Sequence, residues 1–547
     1  MNDISKFTVC KSLNEIMLLA SELYGNIPLT KTLKENGIEE LTYKEVINKS
    51  KLLALHIHEK FGSGKNMVMI GDINYEWIVV FFAIILSNNV VVPLDHSLDV
   101  SIIIKQLDHL EAELVFCSDN NSSLYNNDLL KNVQIIKFTD FINEIYDVMN
   151  FDIVNNYENN DPNSVAMIVY TSGTTGELKG VMLTHKNIVT AIKYSTEIMG
   201  HDTFSSGDTI IPLLPPFHMF QITTGLLTPL LYGVSICFIG NIKNIAKGLL
   251  LFQPSILIVV PMILIGLRKM LRLKMSRTDY FKFQLGLLIN RLLRRVKLDV
   301  SRLIFKELHK KLGGKLRTIV CGGAFVEENL VDWYKNIGIQ VFVGYGITEC
   351  SPVVACNRIK ATKKHSVGKC IEQYCQVKIE DNEILLKGDI VFLKYYKNER
   401  ATKEAFVNGW FRTGDLGYVD KEGYLFISGR RKNLIVGTDG NNVSPEELEQ
   451  LLESYELISD ALVYLKRIKG NQFIVADVLL NNEMTKKLSS SVIETMLLKI
   501  KNDINNLLPS YKRIASIRQI SQSFEKNHLG KILRYKYIKE DGTRFEK

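Results

Sequence analysis

A run of small residues just before a lysine is the part of this sequence whose residue types best suit a chemical task. The run follows the apolar segment 165–169 and consists of Thr171, Ser172, Gly173, Thr174, Thr175 and Gly176. Its glycines let a ligand approach the backbone N–H groups, and its hydroxyls and Lys179 add donors and a positive charge. The pattern predicts a loop that binds phosphates, although the P-loop spacing is absent. A flexible linker is the alternative, but linkers rarely adjoin a buried strand.

A second glycine-bearing motif, residues 344–349, follows another apolar segment. Tyr345 and Gly346 lie early in this motif, and the aromatic ring offers a flat face for a nucleotide base. Thr348 and Glu349 supply a hydroxyl and a carboxylate, which suit a phosphate and its Mg²⁺ ion. A tight turn with a surface acid would explain the glycines but not this order of side chains.

A third motif, residues 410–415, ends in Asp415 next to a glycine, and Arg430 follows it at some distance. An ionised aspartate accepts two hydrogen bonds, which suits the two neighbouring hydroxyls of a ribose. Either residue alone would more often be a solvated surface charge. Only their register with the motif of the family named below favours a nucleotide site.

The order of these motifs resembles that of the adenylate-forming (AMP-binding) superfamily, which holds acyl-CoA synthetases, luciferases and the adenylation domains of peptide synthetases. The resemblance extends over residues 41–534 and includes the superfamily's lysine motif around Lys531. It is closest to bacterial long-chain fatty acyl-CoA synthetases. Leu178 stands where proline is usual, and Asn433 where an aspartate is common, but neither departure removes a group assigned to chemistry.

The resemblance implies a role for each motif, with ATP, Mg²⁺ and coenzyme A as the small molecules bound. Asp415 and Arg430 would hold the ribose, while Thr348 and Glu349 would act at the phosphates, with Glu349 also a metal ligand. Lys531 would be catalytic, because a cation between the attacking carboxylate and the α-phosphate offsets their repulsion. Five residues are implied to bind adenine: Gly322, Gly323, Ala324, Tyr345 and Gly346.

Helix and strand patterns alternate over the first 120 residues, which is typical of parallel α/β layers. Thr42 and Glu45 predict a capping box at the start of one helix. The polar segment 119–163 interrupts the alternation and is expected to be looser. After residue 367 the pattern changes to short strands with turns and predicts a hairpin at 418–428.

These patterns and the resemblance together predict an α/β protein of two domains. The large N-terminal AMP-binding domain, residues 1–429, would consist of stacked α/β subdomains plus a small β-barrel. The C-terminal domain, residues 430–547, would be a small, mobile α+β unit that carries the catalytic lysine. Hinges are a few residues at the ends of elements, and we expect this one at Lys432.

The segment 215–220 corresponds to the start of the acyl pocket in the resembling enzymes. His218 lies here, and apolar residues follow: Phe220, Ile222, Leu226 and Leu227. An unpaired ammonium group would be costly to desolvate among them, so a fatty acid with a medium or long chain fits better than an amino acid. His218 would either gate the pocket or be an ordinary core histidine.

The expected reaction is therefore activation of a fatty acid to its acyl-adenylate, with release of pyrophosphate, and transfer to coenzyme A. That makes the chain an acid–thiol ligase. Two alternatives stay open: transfer to an acyl carrier protein in trans, and activation of an aryl acid. The sequence does not distinguish the thiol acceptors.

The net charge of +8 is concentrated in residues 268–317, which hold sixteen Lys and Arg against three acids. Four basic residues, Arg291, Arg294, Arg295 and Lys297, alternate with Leu288, Ile289, Leu292 and Leu293 and suggest an amphipathic helix. Its partner could be anionic lipid, an acidic carrier protein or the phosphates of coenzyme A, or the helix could simply be solvated. No nucleic-acid motif accompanies the charge.

Nothing in the first twenty residues has the pattern of a secretory signal, and the longest clean apolar run, 77–86, is too short to cross a bilayer. The eight cysteines include no C-x-x-C pair and are expected to be reduced, scattered thiols. We expect a cytoplasmic protein, with a peripheral position on the inner face of the membrane as an option.

Overall fold

A computed structural model of the chain describes residues 3–120, 130, 133–146, 161–172, 178–200, 203–273, 276–295, 298–358, 361–436, 442–468, 471–486, 488–526, 530–539 and 541–545. Helices and strands alternate through most of these ranges, and two large sheets consist mainly of parallel strands. The predicted α/β class is confirmed.

The first large sheet has eight strands among the described residues, and the six in its middle are parallel. Parallel strands need crossover connections, which helices such as Ile245–Phe252 and Pro261–Leu273 provide here. From one edge to the other, the strands are Ala355–Cys356, Gln340–Tyr345, Thr318–Cys321, Ile256–Val259, Thr209–Pro212, Ser235–Phe238, Pro28–Lys34 and Gly37–Thr42.

The second large sheet contains seven strands of the described chain. It includes the strand Gln134–Lys137, which the helix Phe138–Tyr146 follows. Both elements fall within the polar segment 119–163, which we predicted to be looser than its surroundings. That prediction is wrong for these residues, because buried Phe138 and Phe141 anchor them to the core. In spatial order the strands are Lys394–Tyr395, Leu178–Thr184, Val165–Ser172, Val90–Leu94, Asn66–Ile70, Leu114–Cys117 and Gln134–Lys137.

Several helices of these layers begin at residues that cap them. The Thr42 hydroxyl accepts the N–H of Glu45, whose carboxylate accepts the N–H of Thr42, so the predicted capping box is present. None of the helices in the described ranges is long and apolar enough to cross a membrane. The α-helices before residue 430 are Leu13–Tyr24, Tyr43–Phe61, Tyr75–Leu86, Val100–Leu110, Phe138–Tyr146, His185–Met199, Thr228–Leu230, Ile245–Phe252, Pro261–Leu273, Arg277–Arg295, Ser301–Ile304, Lys306–Lys311, Glu328–Asn336 and Glu399–Ala405.

A smaller antiparallel sheet forms a half-barrel after the two large sheets. The predicted hairpin is part of it, since Val419 pairs with Leu425 and Gly423 takes a φ of +83° in the turn. The strands of the half-barrel are Gln376–Glu380, Glu383–Lys387, Phe406–Val407, Trp410–Val419 and Leu425–Arg430.

The C-terminal part of the chain has a hydrophobic core of its own, whose described buried residues all lie at or after Ile435. Its three-stranded sheet consists of Ile458–Ile468, Asn471–Leu480 and Ile514–Ile520. Two longer helices, Pro445–Glu453 and Ser490–Leu507, and the short helix Asn482–Thr485 accompany the sheet. The division into domains at residue 429 agrees with this separate core and stays our prediction.

Candidate active site

A single cleft with a volume of ≈ 2090 Å³ collects the predicted site residues. Residues 173–176 and the side chain of Ser172 lie outside the described parts of the chain, and nothing can be said of their positions. Thr171 and Lys179 pair with each other across the strands on either side of that loop. The predicted residues that line the cleft are Thr171, Lys179, His218, Gly322, Gly323, Ala324, Tyr345, Gly346, Thr348, Glu349, Asp415, Arg430, Lys432 and Lys531.

Two neighbouring parallel strands of the first sheet end at this cleft. Thr318–Cys321 leads into Gly322, and Gln340–Tyr345 leads into Gly346, so the two turns meet at the carboxyl edge of the sheet. Ligands of open α/β sheets bind at that edge. A Cβ atom at residue 346 would lie 1.4 Å from the carbonyl oxygen of Pro352, so no side chain fits there. The structure thus brings the predicted adenine-binding residues to one wall of the cleft.

Asp415 lies at the junction of two predicted motifs. It pairs with Arg430 across the antiparallel strands, and the Arg430 Nε atom lies 2.9 Å from Asp415 Oδ1. The Tyr345 hydroxyl donates to the other carboxylate oxygen over 2.6 Å. The Asp415 carboxylate raises the pKa of Arg430. Each carboxylate oxygen has a second lone pair, so Asp415 can still accept the two hydroxyls of a ribose.

Glu349 and Lys179 meet at Tyr395, a residue that the sequence reasoning missed. The Tyr395 hydroxyl donates to Glu349 Oε1 over 3.0 Å, and Lys179 Nζ lies 5.1 Å from the centre of the Tyr395 ring. Burial raises the pKa of Glu349, and the Tyr395 hydrogen bond and the charge of Arg430 oppose that rise. A nearby cation would therefore stabilise the ionised form of Glu349.

The donors at this point fit Mg²⁺, which binds through one or two carboxylates together with phosphates and water. Glu349 supplies the carboxylate, and Thr348 supplies a hydroxyl beside it. The described residues contain no cluster of three or more His, Cys, Asp and Glu side chains that could hold a metal ion without a substrate. The site thus suits a metal that arrives with a nucleotide.

Glu383 is a second residue that the sequence reasoning missed. Its buried carboxylate accepts hydrogen bonds from Arg412, from Arg431 and from the backbone N–H of Gly414. Although burial raises its pKa, the hydrogen bonds from the two arginines lower the pKa of Glu383 below the usual value overall. The residue therefore stays ionised and fixes the loop that carries Asp415. Its only signal in the sequence is an acid at the start of an apolar strand.

Lys531 reaches the cleft from the C-terminal part of the chain. Its side chain is exposed to the cleft, and Gly530 lies next to Met262 of the helix Pro261–Leu273. The loss of bulk water between the cleft walls and the charge of Arg430 lower the pKa of Lys531 to about 8, while Asp415 opposes the change. The structure therefore places Lys531 within electrostatic reach of the predicted ribose site.

The predicted hinge connects the half-barrel with the C-terminal part. Gly429 has a φ of +153°, and a Cβ atom there would lie 2.1 Å from Ser444 Oγ, so glycine is required. Lys432 follows within the 3₁₀ turn Arg431–Asn433, and Asn433 donates to Glu446. The loss of bulk water between the cleft walls and the charge of Arg430 lower the pKa of Lys432 to about 8. Short 3₁₀ turns commonly connect elements, and the hinge role of Lys432 stays a prediction.

Only some of the residues that the sequence predicted for the acyl pocket line the cleft. His218 is half-buried and lines the cleft, with its ring 4.6 Å from that of Phe217. Phe220 and Thr224 also line it, because the π-helix Phe220–Leu227 brings them to one face. Three apolar residues expected at the pocket are instead packed in the core: Ile222, Leu226 and Leu227. Other apolar side chains line the cleft: Ile198, Met199, Met219 and Val320.

Comparison with known proteins agrees with this geometry. The model of the AMP-binding enzyme family matches residues 27–396, and the chain belongs to that family. A long-chain-fatty-acid–CoA ligase of Mycobacterium tuberculosis is 34% identical over 313 residues, which is 54% of this chain and 52% of that protein. The chain thus spans about half the length of such curated relatives.

Solved structures resemble the whole chain. An anthranilate CoA ligase in complex with anthranoyl-AMP has a TM-score of 0.78 at 19% identity, and the match covers 96% of each chain. The o-succinylbenzoate CoA synthetase of Bacillus subtilis, in complex with its acyl-adenylate intermediate, has a TM-score of 0.73 at 22% identity, covering 95% of this chain and 96% of that one. At these identities the likeness establishes the fold alone.

Proposed function

We propose that this protein is an acid–thiol ligase that uses ATP to activate a medium- or long-chain fatty acid and then transfers the acyl group to coenzyme A. One observation carries the proposal: Asp415 accepts from both Tyr345 and Arg430 in a cleft that Lys179, Glu349 and Lys531 also line. These groups match the base, the ribose and the phosphates of ATP, and Lys531 would supply the catalytic cation.

In the first half-reaction, a carboxylate oxygen of the fatty acid attacks the α-phosphorus of ATP. The bond from that phosphorus to the bridging oxygen breaks, and pyrophosphate leaves with the bond's electrons. Lys531 would offset the repulsion between the two anions and the charge that builds up at phosphorus. Thr171 and Lys179 would hold the phosphates, and Mg²⁺ bound at Glu349 would neutralise part of their charge.

In the second half-reaction, a thiolate attacks the acyl carbon of the adenylate, and AMP leaves. The thiol must reach the space that Lys531 occupies during the first step, so we propose that the C-terminal domain turns about Lys432 between the steps. Coenzyme A is the acceptor we propose, as the name of the M. tuberculosis ligase indicates for that protein. An acyl carrier protein would be the alternative acceptor.

The proposed fatty substrate rests on apolar side chains that line the cleft. Ile198, Met199 and Met219 offer an alkyl chain a surface without charge. The fold is shared with ligases whose names specify aryl acids, so benzoate-type acids belong among the competing substrates.

The test is ATP-dependent release of pyrophosphate across a panel of acids, from acetate to palmitate and including benzoate and anthranilate. Coenzyme A and an acyl carrier protein serve as alternative acceptors, and mass spectrometry identifies the thioester. We expect the largest kcat/KM for fatty acids of eight or more carbons, with acyl-CoA as product. Release that peaks with an aryl acid, or a thioester formed only on the carrier protein, would replace the proposal by the corresponding alternative.

We also propose a cytoplasmic location. Contact of residues 268–317 with the inner face of the membrane is a separate proposal, because it depends on a surface helix and not on the cleft.

A further inference from the structure

The helix Arg277–Arg295, in the middle of the basic segment, is packed firmly against the body by one face. Phe283 lies on this face, with its ring 5.4 Å from Phe305 and 6.0 Å from Trp333. The Asn290 side chain donates to the backbone carbonyl of Asn336 over 2.9 Å. The buried positions 283, 286 and 290 recur every three to four residues and define the inner face of the helix.

The opposite face of the same helix carries large apolar side chains that are exposed. Phe281, Leu285, Leu288 and Leu292 are 70%, 47%, 54% and 51% exposed, respectively. Their spacing of four, three and four residues puts them in one stripe along the helix. Single exposed apolar residues need no explanation, but a continuous stripe marks a surface that contacts something. The helix therefore has two apolar faces, of which the protein covers one.

Basic side chains accompany this stripe. Lys282 and Arg291 are exposed on the same helix, on either side of the stripe. Arg294, which the sequence pattern grouped with them, lies toward the body and binds Asp299 and the backbone carbonyl of Lys335, both at 2.8 Å. The side chains of Arg295 and Lys297 lie outside the described residues. The cations that face outward are thus Lys282 and Arg291 among the described side chains of this helix.

We propose that this outer face, defined by the stripe with Lys282 and Arg291, docks on an anionic lipid surface. Such a surface offers both an apolar layer for the stripe and negative headgroups for the cations, as interfacial helices require. A second copy of the chain would place two strongly basic segments, each with sixteen Lys and Arg against three acids over 268–317, against each other. An acidic protein would match the charge but leave four large apolar side chains without a matching layer.

Vesicle co-sedimentation tests the proposal on the full chain. The probes are vesicles of phosphatidylcholine alone and of phosphatidylcholine with 30% phosphatidylglycerol, each at low and at high salt. We expect binding to the anionic vesicles that weakens with salt, since salt screens surface charge. Lys282→Gln with Arg291→Gln should lower the partition coefficient roughly 30-fold, if each cation contributes as basic residues near anionic membranes do. Inorganic phosphate at matched ionic strength should not compete beyond the salt effect.

A second variant tests the apolar stripe. Leu285→Asn, Leu288→Asn and Leu292→Asn together should lower binding at least tenfold while leaving the melting temperature and the activity on a short, soluble acid unchanged, because all three side chains are exposed. The matched control replaces two exposed leucines of the C-terminal helix Ser490–Leu507, as Leu498→Asn and Leu507→Asn, and should bind like the wild type. A fluorophore on Leu288→Cys should shift to the blue with anionic vesicles alone.

Four results would overturn the proposal. Binding that is equal with neutral vesicles, or that is unaffected by the triple leucine variant, would mean that this face does not dock on anionic lipid. A dimer in sedimentation velocity that the leucine variant abolishes, without vesicle binding, would assign the stripe to self-association. If the triple leucine variant lost binding to an acyl carrier protein but bound vesicles like the wild type, the stripe would be assigned to a protein partner.

Discussion

Lys531 is expected to set an alkaline limit on adenylate formation. The loss of bulk water and the charge of Arg430 lower its pKa to about 8, which moves its loss of charge into an accessible pH range. Only the protonated lysine can offset the charge at the phosphate. With a pKa of about 8, its protonated fraction falls from roughly 90% at pH 7 to roughly 10% at pH 9. We therefore expect kcat/KM for adenylation, which reports the free enzyme, to fall about tenfold over that interval.

The assay is release of pyrophosphate with ATP and fatty acid both at limiting concentration, so that the rate reports the free enzyme, with a coupling system calibrated by added pyrophosphate at each pH. Lys531→Arg keeps its charge throughout, so the variant should be slower at pH 7 but should lose the alkaline fall. Lys432 is the control, because its pKa is also lowered to about 8. Lys432→Gln should retain the alkaline fall.

Two outcomes would refute the reasoning. If the fall near pH 8 persists in Lys531→Arg, another group titrates there. If it disappears in Lys432→Gln instead, the hinge lysine and not Lys531 controls the first step.

Two further predictions concern the support of the site. Glu383→Gln should lower the free energy of unfolding at pH 7 by about 2 kcal/mol in urea titrations, because the partly exposed Arg412 and Arg431 lose their charged acceptor. Glu380→Gln, at an exposed pair with Lys378, should change it by less than about 1 kcal/mol. The pKa of Glu383 is lower in the folded state than in the unfolded chain, so the ionised carboxylate stabilises the fold above about pH 4.5. This stabilisation is lost as the pH falls through the folded-state pKa. Equal effects of Glu383→Gln on the free energy of unfolding at pH 7 and pH 3 would therefore contradict the ion-pair account. Lys432→Pro fixes φ near −65°, which would hinder rotation at the hinge. The variant should form the adenylate normally but form the thioester at least tenfold more slowly. A loss confined to the first step would mean that the hinge lies elsewhere.

The sequence predicted the cleft's main residues well because each motif directly follows a strand. Residues 322–324 and 344–349 come after apolar segments, and parallel strands present their carboxyl ends on one edge. The roles assigned to Asp415 and Lys531 came from the family resemblance, and their spacing alone would not have brought them together. The structure places both at the same cleft.

The features that the sequence did not reveal depend on contacts between distant segments. Tyr395 reaches Glu349, and Glu383 reaches Arg431, only through the pairing of strands far apart in the chain. The strand Ile514–Ile520 was not predicted, because several of its residues are exposed and its apolar pattern is weak. The helix Arg277–Arg295 showed a helical period, but with apolar residues on two faces the period could not tell which face is buried.

The most direct test of the central claim separates the two half-reactions in Lys531→Ala. We expect ATP-dependent pyrophosphate release with a fatty acid to fall at least a hundredfold, the range found when a single electrostatic contact to a transition state is removed. Conversion of a supplied acyl-adenylate and coenzyme A to acyl-CoA should stay within about threefold of the wild type. Lys364→Ala, at another lysine of the cleft, which is paired with Asp332, should leave both steps unchanged. Equal losses in both half-reactions of Lys531→Ala, or no loss in the first, would contradict the account.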